Sequence, residues 1–148
     1  MSNVMSVQDD SHMPQSSRRL VILLGALLGT FVVVRGGMLL RPDADVFVGG
    51  FNIHHLYTGV IVLTICVIPL VVGAPKPRTA DLLVGGLGIG LSLALDEVVY
   101  LIATDGSNQS YLTTVSWIGG ATLILLASGY AIAIARFSHG SKVPGEPD

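Results

Sequence analysis

The chain has 148 residues, 8 Lys and Arg against 10 Asp and Glu, and a mean hydropathy of +0.69. Charged residues are 12% of it and apolar residues 51%, whereas a soluble domain carries about a quarter charged. Most of the apolar residues sit in four runs of more than 20 residues, so a soluble globular enzyme is excluded, and the net charge of -2 removes the basic footprint of a nucleic-acid binder.

In chain order, residues 1–19 are polar and end in Arg18-Arg19, which reads as a disordered tail. Leu20–Leu40 is the first apolar run, 21 residues long, enough to cross about 30 Å of hydrocarbon at 1.5 Å per residue. It is longer than the apolar core of a secretory signal and three more such runs follow, so it reads as a span. The loop Arg41–Asn52 contains Pro42, Asp43, Asp45 and Gly49-Gly50, with Asn52 as the expected N-cap of the next helix. Span two, Ile53–Gly73, carries Pro69 near its far end, where a kink is expected without loss of the crossing. A short basic, proline-rich loop, Ala74–Asp81, leads into span three, Leu82–Ala103. Thr104–Ser110 is a turn with an Asp105-Gly106 signal and Ser110 as expected N-cap of span four, Tyr111–Ala135, which holds no charge. Residues 136–148 read as a second disordered tail. Cys66, the one cysteine, lies inside span two and allows no intrachain disulfide.

These runs predict an all-α, polytopic four-helix bundle. Arg18, Arg19, Lys76, Arg78, Arg136 and Lys142 fall on one side of it and Arg41 alone on the other, which by the positive-inside rule places both termini in the cytoplasm of a cell whose inner membrane holds the protein. Small residues at helical spacing predict close helix contacts: Gly25 with Gly29, Gly86 with Gly90, and Gly119, Gly120, Ser128 and Gly129 in span four. In span three, Gly85, Gly88, Ser92 and Asp96 share one face, and Gly86, Gly90 and Glu97 share the next.

Only Arg35, Asp96 and Glu97 put formal charge inside the spans, joined by the titratable pair His54-His55. Each such charge costs about 2.5–3.5 kcal/mol near the bilayer centre, so three in one small protein call for a reason. Counted from the outer ends of their spans, all five lie within about 10 Å of the outer interface. One outer-leaflet cluster is therefore expected, with Tyr57, Tyr100, Tyr111 and Trp117 at similar depth as hydrogen-bonding partners or an aromatic belt. With neutral histidines the three charges sum to -1, so one proton neutralises the cluster, while a divalent ion such as Zn²⁺ or Mn²⁺ held by His55, Asp96 and Glu97 leaves +1. Neighbouring residues on a helix diverge by about 100°, so one member of each pair, His54-His55 and Asp96-Glu97, is expected to face the cluster. His12 and His139 lie in the tails and are read as bystanders.

The motifs His54-His55-Leu56-Tyr57-Thr58-Gly59 and Gly88-Ile89-Gly90-Leu91 with Leu95-Asp96-Glu97 resemble those of a loose group of small, uncharacterised prokaryotic four-span membrane proteins. The resemblance covers about residues 52–100; it implies that His54, His55, Asp96 and Glu97 act as a unit, and it brings no activity with it. The expected function is binding or conduction of a divalent cation, a proton or a small polar ligand at the cluster. Arg35 serves as counter-charge, and the lipid bilayer and further copies of the chain or a partner membrane subunit are the partners. The alternatives are a non-catalytic assembly subunit whose buried charges only lock the spans together, and a membrane-embedded metalloenzyme with a carboxylate as base.

Overall fold

The computed structural model describes residues 13–41, 47–48, 51–52 and 54–140, apart from the side chains of 47, 48, 51, 52, 108, 139 and 140. Its elements in order are α1 (Gln15–Leu40), β1 (Phe47–Val48), β2 (Phe51–Asn52), α2 (His55–Val72), α3 (Pro77–Ala103), α4 (Asn108–Tyr111) and α5 (Thr114–Gly140). Among the described residues, α1, α2, α3 and α5 are long and apolar enough to cross a membrane, the organisation of a multi-pass membrane protein.

The boundaries differ from the expected ones where polar residues extend a helix past its apolar run. α1 begins at Gln15 and α5 continues to Gly140, so parts of the two expected tails are helical. The rest, with His12 and Lys142, lies outside the described residues, as do Asp43, Asp45, Gly49-Gly50 and Ile53. Residues of the expected loop 74–81 form the first turn of α3, with Pro77 at its start, where a missing N–H costs nothing. Asn52 is not the cap of α2: it pairs with Phe47 in the two-residue antiparallel β1–β2 ribbon, and His54, in extended conformation, takes the N-cap position. Ser110 is not the cap of the fourth span either. The 104–113 segment instead folds a separate turn of helix, α4, capped by Ser107, whose hydroxyl accepts from the Ser110 N–H at 3.3 Å. Gly106 at φ +74° makes the preceding bend. The Ser107 N–H and hydroxyl donate to Asp105 Oδ1 at 3.1 and 2.9 Å, and these donors, the backbone N–H first, hold the Asp105 carboxyl below the usual carboxylate range.

α3 is the central helix. A third of its most apolar window is buried inside the protein, 33% against 11% for each of the other three long helices, and it packs on α1, α2 and α5, while α1 also meets α5. Its two glycine faces meet different neighbours. A Cβ on Gly88 would lie 2.6 Å from the Leu23 carbonyl oxygen of α1, and one on Gly90 would lie 2.8 Å from the Gly59 carbonyl oxygen of α2. Contacts between α1 and α3 run in parallel register from Arg18 with Asp81, through Ile22 beside Gly85, to Arg35 with Asp96. α2 and α5 run antiparallel to α3, Leu56 meeting Glu97 and Gly120 meeting Asp96. By contrast Gly25, Gly29, Gly36, Gly37 and Gly129 have nothing within 4 Å of a built Cβ and face away from the bundle.

This packing makes a differential prediction. Gly59→Ala places a methyl 2.6 Å from the Gly90 carbonyl oxygen and lowers stability by about 1–3 kcal/mol through overpacking. Gly25→Ala, which meets nothing within 4 Å, stays within about 0.5 kcal/mol. Thermal unfolding of the two variants in detergent, followed by circular dichroism, checks the difference.

Candidate functional site

The five polar residues singled out in the spans come together at one end of the bundle, but as two adjoining arrangements. Asp96 and Glu97 are neighbours on α3 and point about 100° apart. Asp96 turns to α1 and α5, and Glu97 turns to α2.

In the first arrangement Arg35 is fully buried and every part of its guanidinium is engaged. Nε donates to Asp96 Oδ1 at 2.7 Å, Nη1 donates to the Tyr111 carbonyl at 2.8 Å, and Nη2 donates to Ser116 Oγ at 3.0 Å and the Ser116 carbonyl at 3.1 Å. The Asp96 carbonyl accepts a longer bond from Nη2 at 3.3 Å. The break between α4 and α5 matters here, because Tyr111 ends α4 and its carbonyl, with no further helical turn to bond, is available to the arginine. The second carboxylate oxygen of Asp96 accepts from the Tyr111 hydroxyl. Aromatic faces close the charge in: Arg35 Cζ lies 4.1 Å from the Tyr111 ring centroid, 5.0 Å from Trp117 and 5.8 Å from Phe31. A paired and hydrogen-bonded charge is the form in which a buried ion pair is tolerated. Gly120 supplies the room, since a Cβ there would lie 2.8 Å from Asp96 Oδ1 and 3.1 Å from Arg35 Nη2.

In the second arrangement Glu97, 4% exposed, accepts the Leu56 N–H at 2.8 Å through Oε2. It thereby caps the first turn of α2 from a neighbouring helix, at the positive end of the helix dipole. Its other oxygen, Oε1, lies 3.4 Å from His55 Nδ1 and 3.7 Å from His54 Nδ1. The expectation that only one histidine of the pair would face the cluster is corrected. His54 stands outside the helix, as its extended N-cap residue, so the 100° divergence of helical neighbours does not apply and both imidazoles reach one carboxylate oxygen. The two side chains are 25% and 34% exposed, so the histidines connect the buried carboxylate to the surface. His55 Nδ1 is buried and makes no hydrogen bond.

Aromatic rings join the halves. Tyr100 and Tyr111 meet edge-on at 5.1 Å between centroids, His54 lies 6.2 Å from Tyr100, and His55 lies 6.4 Å from Tyr111. The Tyr100 hydroxyl donates to the Gly106 carbonyl, tying α3 to the turn that carries α4. Tyr57 stands at the rim, 57% exposed, with its ring 6.4 Å from His54. Among the described residues no group of three or more His, Cys, Asp or Glu is arranged to hold a metal ion. His55, Glu97 and Asp96 do not converge, because Asp96 is committed to Arg35 and Tyr111.

Ser116, Phe31 and Gly120 were not legible in the sequence as parts of the site. Their only signal is position: Phe31 is one turn before Arg35 on α1, and Ser116 is one turn before Gly120 on α5. Comparison with protein-family models, with curated proteins and with solved structures finds no match.

Removing one member of the first arrangement strands the other. Arg35→Ala is expected to cost about 3–5 kcal/mol, the range for breaking a buried pair. Adding Asp96→Asn recovers a substantial part of the loss, whereas adding Glu97→Gln recovers none, because of the two carboxylates Asp96 is the one paired with the guanidinium. Unfolding midpoints of the three variants in detergent measure this, and equal rescue by both second substitutions would contradict the division of the site into two halves.

Proposed function

We propose that this chain is a small, non-catalytic multi-pass protein of a prokaryotic inner membrane, with cytoplasmic termini, that exchanges a proton or a small cationic ligand at Glu97, His54 and His55 in the outer leaflet. One observation carries the reading. The carboxylate of Glu97 is buried without a fixed cation among the described residues, and its Oε1 lies 3.4 and 3.7 Å from the Nδ1 atoms of His55 and His54, whose side chains are partly exposed although His55 Nδ1 itself is buried. Asp96 differs from it in every relevant respect: its charge is matched by Arg35, and both of its oxygens are occupied. Subtracting that neutral pair leaves a single negative charge at Glu97, which one proton on either histidine balances. The geometry supports a proton or a singly charged ligand better than Zn²⁺ or Mn²⁺, since Glu97 and the two imidazoles form no metal-holding group.

Orientation rests on the distribution of Arg and Lys. Arg18, Arg19, Lys76, Arg78 and Arg136 cluster at the end of the bundle opposite the site, and at the site's end Arg41 is the one described Arg or Lys besides the buried Arg35. A cysteine in place of the exposed Gln109, in a Cys66→Ser background, is therefore labelled by a membrane-impermeant maleimide added outside intact cells. Labelling only after the inner face is opened would reverse the orientation.

For the site, potentiometric titration of detergent-solubilised protein, in a His12→Ala, His139→Ala background that removes the tail imidazoles, gives a different curve for Glu97→Gln than for the unsubstituted site. An unchanged titration curve in Glu97→Gln removes the functional coupling of carboxylate and histidines. A stoichiometric rise in melting temperature on adding Zn²⁺ or Mn²⁺, lost in His55→Ala, would replace the proton with a divalent ion.

A second reading, a membrane subunit whose buried charges serve assembly alone, is favoured by the open glycine face of α1. Gly25 and Gly29 lie one turn apart with nothing packed on them, the small-residue spacing through which a second copy or a partner helix approaches closely.

A further inference from the structure

At the end of the bundle opposite the Glu97 site, residues of α1 and α3 line a groove of about 570 Å³. Arg18 and Arg78 stand at its polar end, and Ile22, Leu82, Gly85 and Ile89 form its apolar length. From Leu82 to Ile89 the groove follows α3 for about 10 Å, roughly two-thirds of the hydrocarbon depth of one leaflet. It opens sideways: Leu82 is 78% exposed and Ile89 is 42% exposed, so on a spanning helix its open flank faces lipid tails.

Charge at the mouth is unbalanced. Arg18 and Arg19 both pair with Asp81, which is buried at the foot of α3. Two guanidinium groups on one carboxylate leave one positive charge. Arg78, exposed and making no ion pair among the described residues, adds a second. Asp81 thus holds Arg18 at the mouth without cancelling the field there. Gly85 keeps the floor of the groove open, since a Cβ there would meet only Ile22 Cγ2, at 3.6 Å, whereas Gly86 is closed toward α2, where a Cβ would run into Cys66 Sγ.

We propose that this groove is a binding site for an anionic glycerophospholipid, with the headgroup phosphate between Arg18 and Arg78 and one acyl chain lying along Ile22, Gly85 and Ile89. The two ends of the groove match the two ends of such a molecule. A positive mouth at the depth of the headgroups takes the phosphate through charge-assisted hydrogen bonds, and the apolar trough, open to the bilayer, takes the chain that the same molecule already places in the hydrocarbon. A free phosphate would use only the first half. The inference rests on the membrane reading of the helices and is independent of the Glu97 site, which lies at the other end of the bundle.

Native mass spectrometry of the full chain in mild detergent, offered equal amounts of phosphatidylglycerol and phosphatidylcholine, tests it. The expected result is a one-lipid adduct dominated by phosphatidylglycerol. Arg78→Ala reduces that adduct about five-fold, the effect of one surface arginine on an anionic lipid. Gly85→Leu, which fills the trough and leaves both arginines in place, removes the adduct while the melting temperature in detergent stays at the wild-type value. Gly85→Ala, a smaller filling that makes ordinary contact, gives an intermediate loss and keeps the test valid should the leucine variant fold poorly. Equal adducts of the two lipids overturn the proposal. So does a phosphatidylglycerol adduct that Arg78→Ala weakens while Gly85→Leu and Gly85→Ala leave it unchanged, because the attraction would then be that of a charged surface without a groove.

Discussion

The buried pair of Arg35 and Asp96 is the constraint around which the rest of this bundle is arranged. A guanidinium with no exposure to solvent has to have each of its nitrogens engaged, or the cost of removing it from water is uncompensated. The chain meets that requirement with groups from α3, α4 and α5 at once, so one side chain of α1 fixes three other elements relative to it. The break between α4 and α5 follows from the same need. A continuous helix through 108–140 would use the Tyr111 carbonyl internally, whereas the interruption leaves it directed at Arg35. Gly120 belongs to the same requirement, since any larger residue there would occupy the space in which the two charges meet.

α2 is outside that network and is held in a different way. Its backbone approaches α3 through paired glycines, Gly59 and Gly90, and its first turn is capped by Glu97. Adjacent carboxylates on one helix thus have separate tasks because helical geometry turns them to different neighbours. Asp96 is saturated by a permanent cation. Glu97 shares its charge with a helix terminus and two imidazoles that reach the surface, partners whose charge depends on conditions. A half held by a fixed ion pair thus adjoins a half whose partners reach the surface, which is the physical basis on which exchange is proposed at Glu97 and rigidity at Asp96.

The two ends of the bundle are also chemically distinct. At one end the charges are turned inward and nearly neutralised. At the other, among the described residues, Arg18 and Arg19 pair with the one carboxylate Asp81 and Arg78 stands by without an ion pair, which keeps a net positive character beside an open apolar trough. This asymmetry is the basis of the proposed orientation, in which the proposed lipid groove and the proposed exchange site lie on opposite faces of the membrane.

Much of this was determined by the sequence alone. Four long apolar runs require four helices, because a backbone in lipid has to satisfy its own hydrogen bonds. Rare charges inside those runs marked Arg35, Asp96 and Glu97 as residues needing partners, and the 100° step of a helix separated the Gly88 face of α3 from the Gly90 face. Tertiary structure decided what period and composition do not encode. Helix ends moved because capping and tertiary contacts, which hydropathy does not register, set them: Gln15, Pro77 and Thr114 open helices away from the limits of the apolar runs. His54 and His55 converge only because one of them stands just outside the helix. Asp81, an unremarked loop residue in the sequence, became a buried partner of two arginines once α1 and α3 lay side by side. Which charge pairs with which is a property of helix neighbours distant in the chain, and only the packed bundle supplies it.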